Sequence, residues 1–417
     1  MKKIVVIGGG AAGLMAAAAA AGHGTDVRLI EKNPALGKKM LITGGGRCNI
    51  TNIAEPKRMM DKILRNPCFL YSALHAFDSG ALMTFLDEIG LAVKIEGGGR
   101  VFPVSDRASD VVDAFATKLK QLKVDVILGF GVDEIVPRET KGFYVKINNK
   151  RKIEADAVIV ATGGLAAPDT GSDGAGYGFA KVLGHKITKL YPAIVPLVTE
   201  AAWTGDLAGL GLTDVGLAVF DGGKTAYCGR GDVMFTHQGL SGPVVLEAAA
   251  YLASRLHLGL EFSLDFVPDL NEKELDGHVL SIIGRNLNKK LSNALAAENL
   301  LPERLADFAA KLAEIKPEAR ACDLSKETRG RLCRQIKDFR IKITGSAGFG
   351  SAVITCGGVD VAEINPKTME SKLVPGLYFA GEVIDVDALT GGYNLQIAFS
   401  TGFLAGKSAG DCGSSPQ

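Results

Sequence analysis

The sequence predicts an α/β protein whose parallel sheet is built from both chain ends and is interrupted by an inserted β-barrel-like domain and a helical subdomain. Three observations carry this. The chain opens on a strand, a glycine turn, a helix and a second strand. Two further apolar strands, Ala157–Ala161 and Gly376–Ala380, each run into glycine, the second close to the C-terminus. Between them lies a stretch of different texture, and 417 residues are too many for one ordinary core.

The first unit reads Ile4-Val5-Val6-Ile7, then Gly8-Gly9-Gly10-Ala11-Ala12-Gly13, then a helix to Ala21. A second strand, Asp26 to Ile30, ends in Glu31, eighteen residues after Gly13. This is a Rossmann-type G-x-G-x-x-G in its proper setting. Gly8 allows the tight turn, Gly10 lets backbone approach a pyrophosphate, and Gly13 lets the helix pack on the sheet. The helix N-terminus offers unpaired N–H groups to the anion, and Glu31 can accept hydrogen bonds from an adenosine ribose.

After Glu31 comes a Gly- and Lys-rich loop over 37–52, then helical patterns around Pro67–His75 and Gly80–Ile89. A short strand near Val93–Ile95 leads into Gly97-Gly98-Gly99-Arg100, a helix spans Ala108–Leu122, and a strand covers Val124–Leu128. Gly142–Ile147 and Lys152–Glu154 read as a small antiparallel meander. From about Tyr191 short alternating segments with many glycines indicate the β domain, and Leu, Ala, Lys, Glu and Arg at helical spacing follow. The expected divisions are 1–190 with 345–417, 191–268 with about 335–344, and 269–334.

Bulk properties narrow the function classes. With 47% hydrophobic and 22% charged residues the chain reads as soluble and globular, and its net charge of +1 gives no global attraction to polyanions. Seven scattered cysteines without C-x-x-C, Cys412 among them, indicate reduced thiols in the cytoplasm. Lys2-Lys3 and the alanines 16–21 mimic a targeting segment, but the glycine turn interrupts it. No window of about 20 apolar residues exists, so no membrane span is expected.

Three features select FAD as the dinucleotide. The first helix continues the small-residue spacing from Gly13 through Ala17 to Gly24. Ala157-Val158-Ile159-Val160-Ala161-Thr162-Gly163 is an apolar strand ending in Ala-Thr-Gly, and Gly376 to Gly381-Glu382 is another ending in Gly-acid. Leu389-Thr390-Gly391-Gly392-Tyr393-Asn394-Leu395-Gln396 then enters a helix, Ile397–Leu404, whose positive end can stabilise negative charge on a flavin. The cluster Asp173-Gly174-Ala175-Gly176-Tyr177-Gly178 lacks a second G-x-G-x-x-G, so NAD(P)H is expected only as a transient reductant.

Thr43-Gly44-Gly45-Gly46-Arg47-Cys48-Asn49, Phe235-Thr236-His237-Gln238-Gly239-Leu240-Ser241-Gly242-Pro243 and Gly381-Glu382-Val383-Ile384-Asp385 with Thr390 to Asn394 closely resemble the BaiN and aminoacetone-oxidase-like family of FAD proteins. The resemblance covers essentially the whole chain. It implies a split FAD domain akin to that of succinate dehydrogenase and fumarate reductase flavoproteins, and oxidoreductase activity on amines or on activated C=C bonds. Carried over by motif, Gly8, Gly10, Ala12, Gly13, Glu31 and Lys32 hold the ADP half, with Val132 as a backbone contact to adenine. Lys38, Lys39, Thr43, Gly44, Gly45, Arg47, Cys48 and Asn49 form the loop around pyrophosphate and flavin. Ala161, Thr162, Gly163, Gly381 and Glu382 line the middle, and Gly392, Asn394, Leu395 and Gln396 approach the isoalloxazine.

Several residues have two readings. Cys48 is a flavin link or redox thiol activated by Arg47, or a small residue touching the flavin without a bond. His237 moves protons near the flavin, or caps a turn; Tyr393 is a proton donor or an aromatic wall. Arg100 binds an anionic substrate or is solvated. His23, His75, His185, His257 and His278 have no partners at metal spacing, so no metal site is expected. The basic run Arg329, Arg331, Arg334, Lys337, Arg340 and Lys342 is a solvated helix face or a footprint for RNA, whose uracil a flavin can saturate. The preferred reading is a non-covalent FAD oxidoreductase reducing an activated C=C of a small molecule or nucleobase. Its rivals are an amine oxidase releasing peroxide, an RNA-directed reductase, and a flavin-bound factor without turnover.

Overall fold

The computed structural model describes residues 1–21, 24–148, 151–200 and 204–411; His23 and Cys412 lie outside them. The chain forms two compact units, Met1–Ile194 with Gly348–Gln417, and Val195–Ala347.

The first unit is organised by a five-stranded parallel sheet in the order Leu377–Phe379, Ala157–Val160, Lys3–Ile7, Asp26–Glu31, Asp125–Leu128. The central strand is clamped on both sides, Val5 opposing Val158 and Arg28. Helices cover both faces of such a sheet, which is why Ile4, Val6 and Val158–Val160 are all buried rather than alternating. The edge strand Asp125–Leu128 has no buried residue, and it begins with a charge.

The alanine run has a packing cause. Helix Ala11–Ala21 lies against helix Tyr393–Gly410 almost backbone to backbone. A Cβ on Gly402 would stand 2.3 Å from the carbonyl oxygen of Ala12, and one on Gly406 2.2 Å from that of Ala16. Any larger residue on either side would force the helices apart.

Besides the antiparallel pair Tyr191–Ala193 with Ile354–Cys356, two small three-stranded antiparallel sheets complete this unit. One pairs Thr51–Asn52 and Val93–Glu96 with Arg100–Pro103; the other joins Val132–Pro137, Phe143–Ile147 and Arg151–Ala155. The charged pair Asp133-Glu134 hid the strand at Val132–Pro137 from its hydrophobic pattern. The loop expected over 37–52 contains a helix, Lys38–Ile42, and a 3₁₀ turn, Thr43–Gly46. The closing helix begins at Tyr393 rather than Ile397 and reaches Gly410, because its glycines are contact points and not breaks.

The second unit is a closed six-stranded barrel in the order Leu197–Thr199, Gly239–Ser241, Lys224–Phe235, Gly211–Asp221, Glu261–Asp265, Phe339–Ser346. Phe339 centres its core, with the rings of Phe235, Phe266 and Phe308 at 6.5, 5.5 and 6.0 Å. Phe308 comes from helix Glu303–Leu312, so the helical segment is pinned to the barrel by an aromatic contact. A helix inside the β region, Pro243–Tyr251, starts with proline at its first position, where the missing N–H costs nothing. Helix Glu272–Arg285 starts with an Asn271–Glu274 capping box.

Candidate functional site

In the first unit the glycine turn, the strand ends and the closing helix border one cleft of about 1010 Å³, counting its open side. Gly8 makes the turn with φ +107°, and a Cβ there would meet the Ala161 carbonyl oxygen at 2.4 Å. Gly13 is stricter: its Cβ would lie 1.8 Å from the Gly8 carbonyl oxygen. The turn is tied down by Gly8 N donating to Ile30 O and Gly37 N donating to Gly9 O, both at 2.8 Å. Helix Ala11–Ala21 therefore starts at the cleft wall, with Ala11 and Ala12 lining it.

Glu31 is buried at the end of its strand. One carboxylate oxygen accepts from Gly9 N (2.6 Å) and the other from Asn33 N and Nδ2 (both 2.8 Å). These bonds fix the carboxylate on the cleft wall while leaving lone pairs for further donors. Phe130 N donates to Glu31 O (3.2 Å), which brings the segment before Val132 beside this end, although Val132 itself does not line the cleft. Lys32 also lies off it, paired with Asp173 at 2.6 Å.

Across the middle, Lys39 Nζ pairs with Glu382 at 2.6 Å, and the other Glu382 oxygen accepts from Thr355 N at 2.8 Å. Lys38 Nζ donates to Asp169 O at 2.6 Å. Thr355 Oγ1 in turn accepts from Leu165 N and Ala166 N, which fixes the turn after Gly163. Ala161, Thr162, Gly163, Gly381, Glu382 and Thr43 all line the cleft. Thr162 Oγ1 is buried there without a hydrogen-bond partner, so a polar group of a ligand would satisfy it.

At the far end Gly392 (φ +97°) starts the helix Tyr393–Gly410, and a Cβ on it would strike the Thr51 carbonyl at 2.3 Å. Asn49 holds this turn: its amide donates to Thr51 O and accepts from Gly392 N, both at 3.1 Å. Asn52, not foreseen from sequence, donates to Gly98 O (2.9 Å) and Gly391 O (3.1 Å). Asn394 and Leu395 line the cleft; the Asn394 amide accepts from Ala388 N (2.9 Å) and donates to Ala388 O (2.7 Å).

Other expected residues stand behind the wall. Gln396 is fully buried, accepting from Thr51 Oγ1 and donating to Phe77 O and Ser400 Oγ. Arg47 turns to Asp106 and Glu96 and stacks 4.1 Å over the Phe102 ring. Gly44 and Gly45 sit in the 3₁₀ turn next to it, off the cleft. Cys48 is fully buried, and burial pushes its thiol up to about 11, opposite to the shift a redox thiolate needs. Tyr393 packs its ring against Gly391, and burial raises its phenol above the ordinary range. His237 is exposed in the turn between two barrel strands of the second unit.

Asp387 was also unforeseen. It is fully buried, 3.0 Å from Arg65, and burial lifts its carboxyl to about 7 despite that cation. Two acids in the apolar loop Ile384–Ala388 were its only sequence sign; Val386 between them lines the cleft. The basic run is largely spent inside its own unit. Arg329 pairs with Asp276 (2.6 Å), Arg331 with Glu327 (3.2 Å), Lys337 with Asp265 (2.5 Å) and Arg340 with Glu261 (3.0 Å). Among the described residues no cluster of His, Cys, Asp or Glu could hold a metal ion, and no helix is long and apolar enough to cross a membrane.

Residues 2–408 match the family described as HI0933-like protein Rossmann domain. The chain belongs to the HI0933-like family of flavin-dependent oxidoreductases. It is 34% identical over 390 residues to the 3-dehydro-bile acid delta(4,6)-reductase of Clostridium scindens, covering 92% of this chain and 93% of that protein. It is 32% identical over 379 residues to the ribosomal RNA dihydrouridine synthase of Escherichia coli, covering 91% and 90%. The structure of the 3-ketosteroid-delta4-(5alpha)-dehydrogenase from Rhodococcus jostii aligns with a TM-score of 0.53 at 16% identity, over 99% of this chain and 97% of that one. That last likeness concerns the fold alone, an α/β Rossmann-type flavoprotein architecture.

Proposed function

We propose that this HI0933-like protein binds FAD non-covalently in the cleft and reduces a C=C bond conjugated to a carbonyl. The carrying observation is the cleft: one continuous wall presents a helix N-terminus, a fixed ribose-facing carboxylate, a lysine–glutamate pair and a second helix N-terminus. Those are, in order, what a pyrophosphate, an adenosine ribose, a ribityl chain and an electron-rich flavin edge require. The unpartnered Thr162 hydroxyl adds a polar contact. Both curated relatives carry names for the same chemistry, since a 3-dehydro steroid diene and a uracil ring each hold a double bond conjugated to a carbonyl.

FAD bound here, once reduced by NAD(P)H, would supply hydride to an electron-poor carbon. The chain's residues set the conditions. Gly8 to Gly13 and Ala11–Ala12 bring backbone amides to the pyrophosphate. Glu31 accepts from the ribose. Lys39 leaves or shares Glu382 to meet the phosphates, and Glu382 stays oriented by Thr355 N. Asn49 and Asn52 hold the Gly391–Gly392 turn, so the positive end of the closing helix is fixed before ligand arrives. Cys48 is fully buried and off the cleft, so it is not placed to link to the flavin.

The test uses the purified, FAD-loaded protein under anaerobic conditions. NAD(P)H should bleach the flavin absorption, and an α,β-unsaturated ketone should restore it. Reoxidation by air alone, with peroxide released on adding small amines, would favour the amine-oxidase reading instead.

A further inference from the structure

The loop Ile384–Ala388 runs along the cleft, with Val386 lining it and the next residue, Asp387, fully buried off it. Among the described residues neither carboxylate oxygen of Asp387 accepts a hydrogen bond, although buried polar groups are normally paired. Its opposite charge is Arg65, with Nε 3.0 Å from Oδ1 but not aligned to donate. Backbone bonds hold the two segments together: Leu64 N donates to Asp387 O (2.8 Å) and Leu389 N to Lys62 O (3.0 Å). On the cleft side the Asn394 amide grips Ala388 N (2.9 Å) and Ala388 O (2.7 Å). Facing Asp387 are Asp385 on its own loop, Glu382 from the turn Gly381–Val383, and Cys356 from strand Ile354–Cys356. Glu382 is paired with Lys39 at 2.6 Å, and its backbone carbonyl accepts from the Tyr177 hydroxyl at 3.4 Å. Burial keeps the Tyr177 phenol and the Cys356 thiol, pushed up to about 12, in their neutral forms. Asp385 also faces Asp360, which Lys186 pairs at 3.0 Å. Three carboxyls, Asp387, Asp385 and Glu382, therefore share two cations, Arg65 and Lys39, and the unbonded Asp387 carboxyl is lifted to about 7.

We propose that Asp387 is the proton acceptor that offsets the negative charge gained in the cleft when FAD bound there is reduced. This rests on the FAD reading of the cleft. A hydride from NAD(P)H brings two electrons and one proton, leaves NAD(P)⁺, and adds one negative charge to the cofactor. A like charge on the other side of the Val386 wall disfavours ionised Asp387, so one solvent proton adds to its carboxylate. The Arg65 side chain is 32% exposed and connects the buried acid to solvent. When the C=C takes the hydride at one carbon and a solvent proton at the other, the added charge leaves and Asp387 releases its proton. Asp387 touches neither cofactor nor substrate; it acts through its charge alone, across the wall that Val386 and Asn394 fix.

The test is the midpoint potential of the FAD-loaded full chain, measured anaerobically against redox dyes between about pH 6 and 8. Each proton taken up with two electrons makes the reduction constant fall about tenfold per pH unit, or about 30 mV. Around neutral pH the wild-type constant should fall at least about threefold more steeply per pH unit than that of Asp387→Asn. Redox-difference infrared spectra should show a protonated carboxyl gained on reduction in the wild type and missing from Asp387→Asn. Arg65→Gln removes the cation that favours the carboxylate, so the steep region should move to higher pH. Equal slopes and equal infrared bands in the wild type and Asp387→Asn, with flavin bound in both, would overturn this inference alone. If Asp387→Asn does not fold, Arg65→Gln decides: a steep region that stays in place overturns it. A wild-type chain that retains no FAD would overturn the reading of the cleft, and this inference with it.

Discussion

Glu31 and Asp387 show how burial gives two carboxylates opposite tasks. Glu31 accepts three N–H bonds at the end of its strand and stays presented to the cleft. Glu31→Gln keeps the shape but removes a charge-assisted acceptor, so FAD affinity should fall about tenfold or more, read by flavin fluorescence titration. Unchanged affinity would remove Glu31 from the ribose site. Asp387 faces Arg65, with Asp385 and Glu382 as neighbouring like charges. Its carboxyl is raised from 3.8 to about 7, so the folded chain holds a proton that the unfolded chain has lost between those values. Stability therefore declines as pH rises through that window, by about 4 kcal/mol in all. Asp387→Asn should flatten that slope and raise stability at pH 8, as measured by urea unfolding at several pH values. A slope unchanged by the substitution would place the pH dependence elsewhere.

The packing of helix Ala11–Ala21 on Tyr393–Gly410 joins the two ends of the chain. Gly406→Ala puts a methyl where the Ala16 carbonyl stands 2.2 Å away, so it should cost about 1–3 kcal/mol and lower FAD retention together. Loss of stability without loss of flavin would uncouple this helix pair from the cleft. The sequence showed these elements well where backbone geometry dictates residue type. Gly8, Gly13 and Gly392 each sit where a Cβ would collide with a backbone carbonyl, so their residue type is dictated by geometry. It showed less where a side chain's direction decides. Gln396 and Asn394 look equivalent on paper, yet successive helix positions diverge by about 100°, so one lines the cleft and the other fills the core. Arg47 reads as a cofactor contact until Asp106 and Glu96, distant in sequence, are seen to claim it. Asp387 and Asn52 had no motif at all, since their roles arise from segments that meet only in the fold.

At the scale of the molecule, the glycine-lined cleft is built from residues near both chain ends. His237 belongs to the inserted unit, and its proposed proton-transfer role is testable without assuming a pose. His237→Ala should lower kcat by about a hundredfold while leaving FAD content unchanged; an unaltered kcat would leave it as a turn residue. The family's two named chemistries meet in one reaction type, addition of two hydrogens across a carbonyl-conjugated double bond. The most direct measurement is mass spectrometry of product from the FAD-loaded protein, supplied anaerobically with NAD(P)H and either a conjugated enone or a uridine-rich RNA. The product should be heavier by two hydrogen atoms and form only when both FAD and reductant are present. No mass gain in either substrate, together with peroxide formed from small amines in air, would contradict it.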